Sequence, residues 1–156
     1  MALFDFLFKN NKKEEKDASE IVYDIFTELM DKAYSTAIRD DDINLLNDKE
    51  KVFYVLYLYN MEIQNGGLCQ FFVNSTKIYA PLVSHFLKEV NAVEHKKLYD
   101  DFIKANNINL YDLSYFDIDN VEEFSEKNNS YPFDDFDDKF YTLPNLEDYL
   151  YKYFNE

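Results

Sequence analysis

The chain has no tryptophan, one cysteine, three prolines and only two glycines in 156 residues. A lone cysteine, Cys69, excludes an internal disulfide and any cysteine-rich zinc site. Its neighbours Leu68 and Phe71 point to a buried thiol. Two adjacent glycines, Gly66 and Gly67, cannot build a phosphate-cradling loop or a dinucleotide fingerprint, and no Walker loop, G-x-S-x-G or zinc-protease motif occurs. Glycine is the residue that takes a left-handed backbone at little cost. Because both stand together, Asn65-Gly66-Gly67 marks a backbone feature that other residues could not supply. Long apolar runs are also missing. Residues 1–8 are apolar but interrupted by Asp5, and Lys9, Lys12 and Lys13 follow that run, whereas a signal peptide puts its charge first. These features lead us to expect a cytoplasmic protein without stable membrane insertion. Residues 1–8 read as a short docked helix, a frayed tail or a weak membrane-surface foot.

The residues that are present describe an acidic protein with a substantial core. The length fits one domain. Apolar residues make up 47%, which excludes a disordered chain even with 30% charged residues. Fifteen Phe and fourteen Tyr supply large rings for a dense core, with many Tyr expected at its boundary, hydroxyl outward. The net charge is −15, from 31 acidic and 16 basic side chains. Such a field repels nucleic acid and anionic lipid and attracts cationic partners. It is uneven: residues 1–99 hold 16 acids and 12 bases, residues 100–156 hold 15 acids and 4 bases.

Periodicity predicts an all-α fold: a single compact multi-helix domain over residues 19–156, with short helices and loops in its C-terminal third. Residues 1–18 form an apolar leader and charged linker. Ser19 is the expected cap of a first helix running to Arg39, with Ile21, Val22, Ile25, Phe26, Leu29, Met30, Ala33, Tyr34 and Ala37 as its buried stripe. Asn47 and Glu50 form a capping-box pattern for a second helix that stops at Asn65-Gly66. A short helix from about Gly67 to Asn74 follows at an angle. Pro81 suits the first turn of the next, and another covers Val93 to Ala105. Val121 to Lys127 suggests a turn or two of helix. Tyr131-Pro132-Phe133 argues for an extended approach to an acidic cluster. Asn145, with Asp148 three residues on, caps a last helix from Leu146 to Phe154. No segment alternates with period two between hairpin turns.

Few constellations suggest chemistry. Asn65, Gly66, Gly67, Gln70 and Asn74 read as a tight helix joint in which amide side chains satisfy exposed backbone groups. Asp134, Asp135 and Asp138 match a D-D-x-x-D magnesium spacing, but no second motif accompanies it. A hydrated face anchored by Phe136 is the simpler reading. Asp117 and Asp119 resemble the start of a calcium loop, yet Val121 and Glu122 stand where Asn or Asp and Gly are required. Asp40, Asp41 and Asp42 read as a solvated loop. His85 and His95 lack metal-type spacing and read as surface or boundary residues. No catalytic residue, metal site or cofactor is expected, so the protein is read as no enzyme.

The stretch Glu62-x-x-Asn65-Gly66-Gly67-x-x-Gln70-Phe71-Phe72-x-Asn74 resembles the signature of a bacterial family of small acidic helical proteins, best known for a DNA mimic. The tail from Phe133 to Tyr141 followed by a terminal helix is similar to that family as well. The resemblance implies an all-α fold, homodimers, and binding to a DNA-binding protein such as a transcriptional repressor. Leu68 stands where the family commonly has an aromatic residue. On this reading the protein is an acidic decoy for a basic DNA-contacting surface, with Asp117, Asp119, Glu122, Glu123, Asp134, Asp135, Asp137 and Asp138 as partner-binding residues. Glu62, Asn65, Gly66, Gly67, Gln70, Phe71, Phe72 and Asn74 are the structural signature. The alternative is an immunity-type inhibitor of a cationic toxin such as a nuclease. Neither reading includes direct binding of nucleic acid.

Overall fold

The computed structural model describes residues 16–33 and 43–156. These contain seven α-helices, three short 3-10 turns and no strand. The helices are α1 (Ala18–Ala33), α2 (Asp48–Val73), α3 (Ala80–Glu89), α4 (Val93–Ala105), α5 (Val121–Ser130), α6 (Phe133–Thr142) and α7 (Leu146–Asn155). The predicted all-α fold is what the chain adopts. The leader, most of the linker, and Tyr34, Ala37, Arg39 and Asp40 to Asp42 lie outside the described residues.

Helix α1 begins two residues before the position expected with Ser19 as its cap. Asp17 is its cap: its carboxylate accepts the Glu20 N–H at 2.9 Å, and the Glu20 carboxylate accepts the Asp17 N–H at 3.3 Å. Acid at both positions completes a reciprocal capping box that Ser19 cannot make. Val22, Phe26, Leu29 and Ala33 form the buried stripe.

Helix α2 opens as predicted. Asn47 Oδ1 accepts the Glu50 N–H at 2.9 Å, and Glu50 accepts the Asn47 N–H at 2.8 Å. Lys32 Nζ reaches the same Glu50 carboxylate at 2.6 Å, tying α1 to this start. From Val52 to Ile63 almost every residue of α2 is buried. A helix apolar on all sides belongs at the centre of its domain, and α2 packs against α1, α3, α5, α6 and α7.

The central helix breaks where the two glycines stand. Gly66 (φ −162°, ψ 21°) and Gly67 (φ 79°, ψ 178°) leave the helical region, and Leu68 to Val73 continue as a second, redirected segment. Elsewhere asparagine replaces glycine at helix ends. Asn91 (φ 59°) and Asn107 (φ 50°) sit in the left-handed region after α3 and α4. At each, the following N–H returns to a carbonyl five residues back, Ala92 to Leu87 at 2.9 Å and Ile108 to Ile103 at 3.1 Å. This is the Schellman closure, and Asn is the usual substitute for Gly in it.

The acidic cluster lies on a helix that the sequence reading did not assign. Tyr131 is extended, as its proline neighbour requires, but residues 133–142 are helical. Phe133, Phe136 and Phe140 recur at helical spacing and are buried, while the aspartates between them occupy the remaining positions. Phe133 joins the rings of Phe72 (6.0 Å between centroids), Phe102 (5.2 Å) and Phe116 (6.0 Å) in one aromatic cluster. Tyr57, Tyr131, Tyr149, Tyr151 and Tyr153 take the expected half-buried boundary positions, whereas Tyr54, Tyr59, Tyr79 and Tyr99 are buried, and Tyr99 donates from its hydroxyl to the Ala80 carbonyl at 2.9 Å. Helix α5 runs through Ser130, beyond the expected Lys127. At α7, Asn145 accepts from Glu147 at 3.1 Å, one position before the expected Asp148.

Candidate functional site

The glycine break is held by two carboxylates that reach it from different directions. Glu62, one turn before the break, is only 6% exposed. Its carboxylate accepts from Gln70 Nε2 at 2.8 Å, Asn74 Nδ2 at 2.8 Å and Thr76 Oγ1 at 3.0 Å. A buried carboxylate is tolerable when its lone pairs are filled by donors in this way. The amides of Gln70 and Asn74 were expected to satisfy backbone groups of the joint. They serve Glu62 instead, and so lock the segment after the break to the segment before it. Gln70 also explains Gly66, since a Cβ there would stand 2.0 Å from Gln70 Oε1.

The exposed backbone donor of the joint is taken by Asp137 of α6. Its Oδ1 accepts the Leu68 N–H at 2.9 Å, across 69 residues of chain. A Cβ on Gly67 would lie 2.0 Å from Asp137 Oδ2, and the left-handed φ of Gly67 adds a second reason for glycine. Burial pushes the Asp137 carboxyl up to about 6; the Leu68 N–H opposes this, and Asp134 and Asp138 add to it. Tyr141, one turn on, donates to the Ile63 carbonyl at 2.7 Å. Helix α6 is therefore clamped to the break by two side chains of its own.

The remaining predicted partner-binding acids are distributed as follows. Asp134, Asp135 and Asp138 are exposed on α6, and Asp134 accepts weakly from Asn128 Nδ2 at 3.3 Å. Asp119 and Glu122 are exposed at the start of α5. Glu123 is half-buried; its N–H donates to the Asn120 cap at 3.0 Å, and its carboxylate accepts from Asp119 N at 2.9 Å and Asn120 Nδ2 at 2.8 Å. Asp117 is exposed but forms an ion pair with Lys77. The exposed Glu126, one turn after Glu122, went unnoticed in the sequence, though its spacing of four was there to read.

Ion pairing divides the acids. Among the described residues, Asp24, Asp48, Glu50, Asp100, Asp101 and Asp117 each pair with a lysine. Asp119, Glu122, Glu126, Asp134, Asp135 and Asp138 have no such pair. Lys127, the one lysine of α5, stands 3.9 Å over the Tyr115 ring instead. No group of His, Cys, Asp and Glu among the described residues is arranged to hold a metal. No described helix is long and apolar enough to cross a membrane.

Cys69 and His95 also lie in the core. Cys69 is buried, as expected, and burial pushes its thiol up to about 12, so it stays protonated. His95 was expected at the surface or boundary; it is 1% exposed, edge-on to Phe140 and Tyr149. Its apolar neighbours came from distant sequence, which its own helix does not reveal.

No curated protein and no solved structure matches the chain. A family model described as DMP19-like protein matches residues 44–156, which include every helix from α2 onward, the glycine break and the acids of α5 and α6. This chain therefore belongs to the DMP19-like family, the family of DNA-mimic proteins.

Proposed function

We propose that this protein is a non-enzymatic DNA mimic of the bacterial cytoplasm. It occupies the basic, DNA-contacting surface of a DNA-binding protein such as a transcriptional regulator. The observation that carries the reading is the set of exposed, lysine-free carboxylates on α5 and α6. DNA offers its partners a dense row of fixed negative charge, about one per 1.7 Å of duplex axis. Residues four apart on a helix advance about 6 Å, the order of a phosphate step. Glu122 with Glu126, and Asp134 with Asp138, have that spacing. Carboxylates already paired with lysine offer a cationic partner little, because the competing ammonium must first be displaced.

Asp119, Glu122, Glu126, Asp134, Asp135 and Asp138 make the direct contacts in this reading. Asp117 lies at the margin with Lys77, Glu123 orders the start of α5, and Asp137 fixes α6. The test is capture of partners from native lysate at low salt with elution by rising salt. Recovery of a sequence-specific DNA-binding protein that competing duplex displaces supports the proposal. Capture that duplex leaves undisturbed, or no basic partner at all, refutes it.

A further inference from the structure

A cleft of about 450 Å³ lies where α2, α4, the C-terminal end of α6 and the start of α7 meet, lined among others by Asn60, Gln64, His95, Tyr141, Asn145 and Glu147. Two of these residues are polar and almost fully buried, Asn60 at 3% and His95 at 1% exposed. Each keeps one side-chain atom without a hydrogen-bond partner, Asn60 Oδ1 and His95 Nδ1. Buried polar atoms are paired as a rule, and leaving one unpaired is destabilising. Two such atoms on residues of one cleft point to an occupant.

The chemistry of that occupant follows from what the cleft offers. His95 Nε2 lies 2.8 Å from the Pro144 carbonyl oxygen, which only accepts, so Nε2 carries the proton and donates. Burial lowers the pKa of the ring, which keeps it neutral and leaves Nδ1 as an acceptor. Asn60 Oδ1 is an acceptor as well, and Glu147 adds a carboxylate. No Lys or Arg lines the cleft. Phe140 and Tyr141 contribute rings, which attract cations over their faces. The occupant must bring donors, and a positive charge suits the carboxylate and rings best.

We propose that this cleft binds a hydrogen-bond-donating organic cation, an ammonium or guanidinium group, with Asn60 Oδ1 and His95 Nδ1 accepting and Glu147 supplying the opposite charge. Both acceptor atoms are covered from bulk water, so entry moves a rim side chain, and Gln64 is exposed at that rim. The proposal stands apart from DNA mimicry, because it uses none of the acids of α5 and α6. The cation is a free small molecule or the tip of a protein's lysine or arginine.

The test follows the His95 ring resonances by NMR at fixed ionic strength while methylguanidinium, n-butylammonium or tetramethylammonium is added. The first two give saturable shifts. Tetramethylammonium, equally charged but without an N–H, keeps only the ring and carboxylate attraction and binds at least about tenfold more weakly. Glu147→Gln stays folded by circular dichroism and binds methylguanidinium about tenfold more weakly, the effect of one charge-assisted hydrogen bond; Asn60→Leu abolishes binding. A capped arginine tripeptide that binds as well as methylguanidinium identifies a protein side chain as the source, and its exclusion identifies a free ligand. Absence of a saturable shift overturns the proposal. So does an equal response to tetramethylammonium, or a crystal grown with methylguanidinium that holds only ordered water beside Asn60 Oδ1 and His95 Nδ1.

Discussion

Helix α6 carries four aspartates within five residues, and they fall into two regions with opposite duties. Asp137 turns inward onto the Leu68 N–H and, with Glu62, holds the broken central helix. Asp134, Asp135 and Asp138 turn outward, exposed and without a lysine. The same side chain is a structural fastener in one place and a piece of charged surface in the other. What separates them is the neighbourhood: backbone or amide donors at close range in the first region; solvent, other acids and one long contact from Asn128 to Asp134 in the second. An acidic composition by itself therefore does not locate a binding surface.

The sharpest way to break this comparison is to remove the inward acid at its centre. Glu62→Ala leaves the amides of Gln70 and Asn74 and the Thr76 hydroxyl without their acceptor. It should cost about 3 kcal/mol, the upper end for losing hydrogen bonds to a charged group, as read by urea denaturation. A loss below about 1 kcal/mol would mean that the network is incidental. Next in size is Gly67→Ala, which places a Cβ in a left-handed position against Asp137 Oδ2. Strain of this kind costs about 1–3 kcal/mol, and the same denaturation series measures it.

Asp137 gives a subtler effect that depends on pH. Its folded pKa is raised to about 6, above the unfolded value of roughly 4. The folded state thus binds the proton more tightly. The stability this group contributes is complete below pH about 4 and is lost as pH rises through about 6. Asp137→Asn keeps a carbonyl oxygen for the Leu68 N–H and has no charge to lose. The variant should gain on the native protein across that window, with the difference level above it. A constant difference from pH 4 to 8 would show that Asp137 titrates normally. Smallest of all should be the outward set: Asp134→Asn, Asp135→Asn and Asp138→Asn each change stability by no more than about 0.5 kcal/mol, as surface sites do.

The sequence disclosed local structure well and distant structure poorly. The capping box at Asn47, the proline at the start of α3 and the stop at Asn65-Gly66 are written in residues that touch one another along the chain. The helical state of α6 was also available, in Phe133, Phe136 and Phe140. The run of aspartates, weak helix formers in mid-helix, drew attention to charge instead. The role of Asp137 could not be read, because its partner Leu68 lies 69 residues away. His95 was misplaced for the same reason: Pro144 and Phe140 bury it from another part of the chain. The acids of the candidate surface could be named but not sorted, since pairing with lysine, capping and burial are settled only by the fold.

One measurement bears most directly on the outward region. The affinity of a captured DNA-binding partner is determined against salt concentration for the native protein and for the triple variant Asp134→Asn, Asp135→Asn, Asp138→Asn. If these carboxylates stand in for phosphates, the triple variant binds at least about tenfold more weakly at low salt, with a shallower logarithmic dependence on salt. Equal affinity and an equal slope would contradict a phosphate-like role for α6.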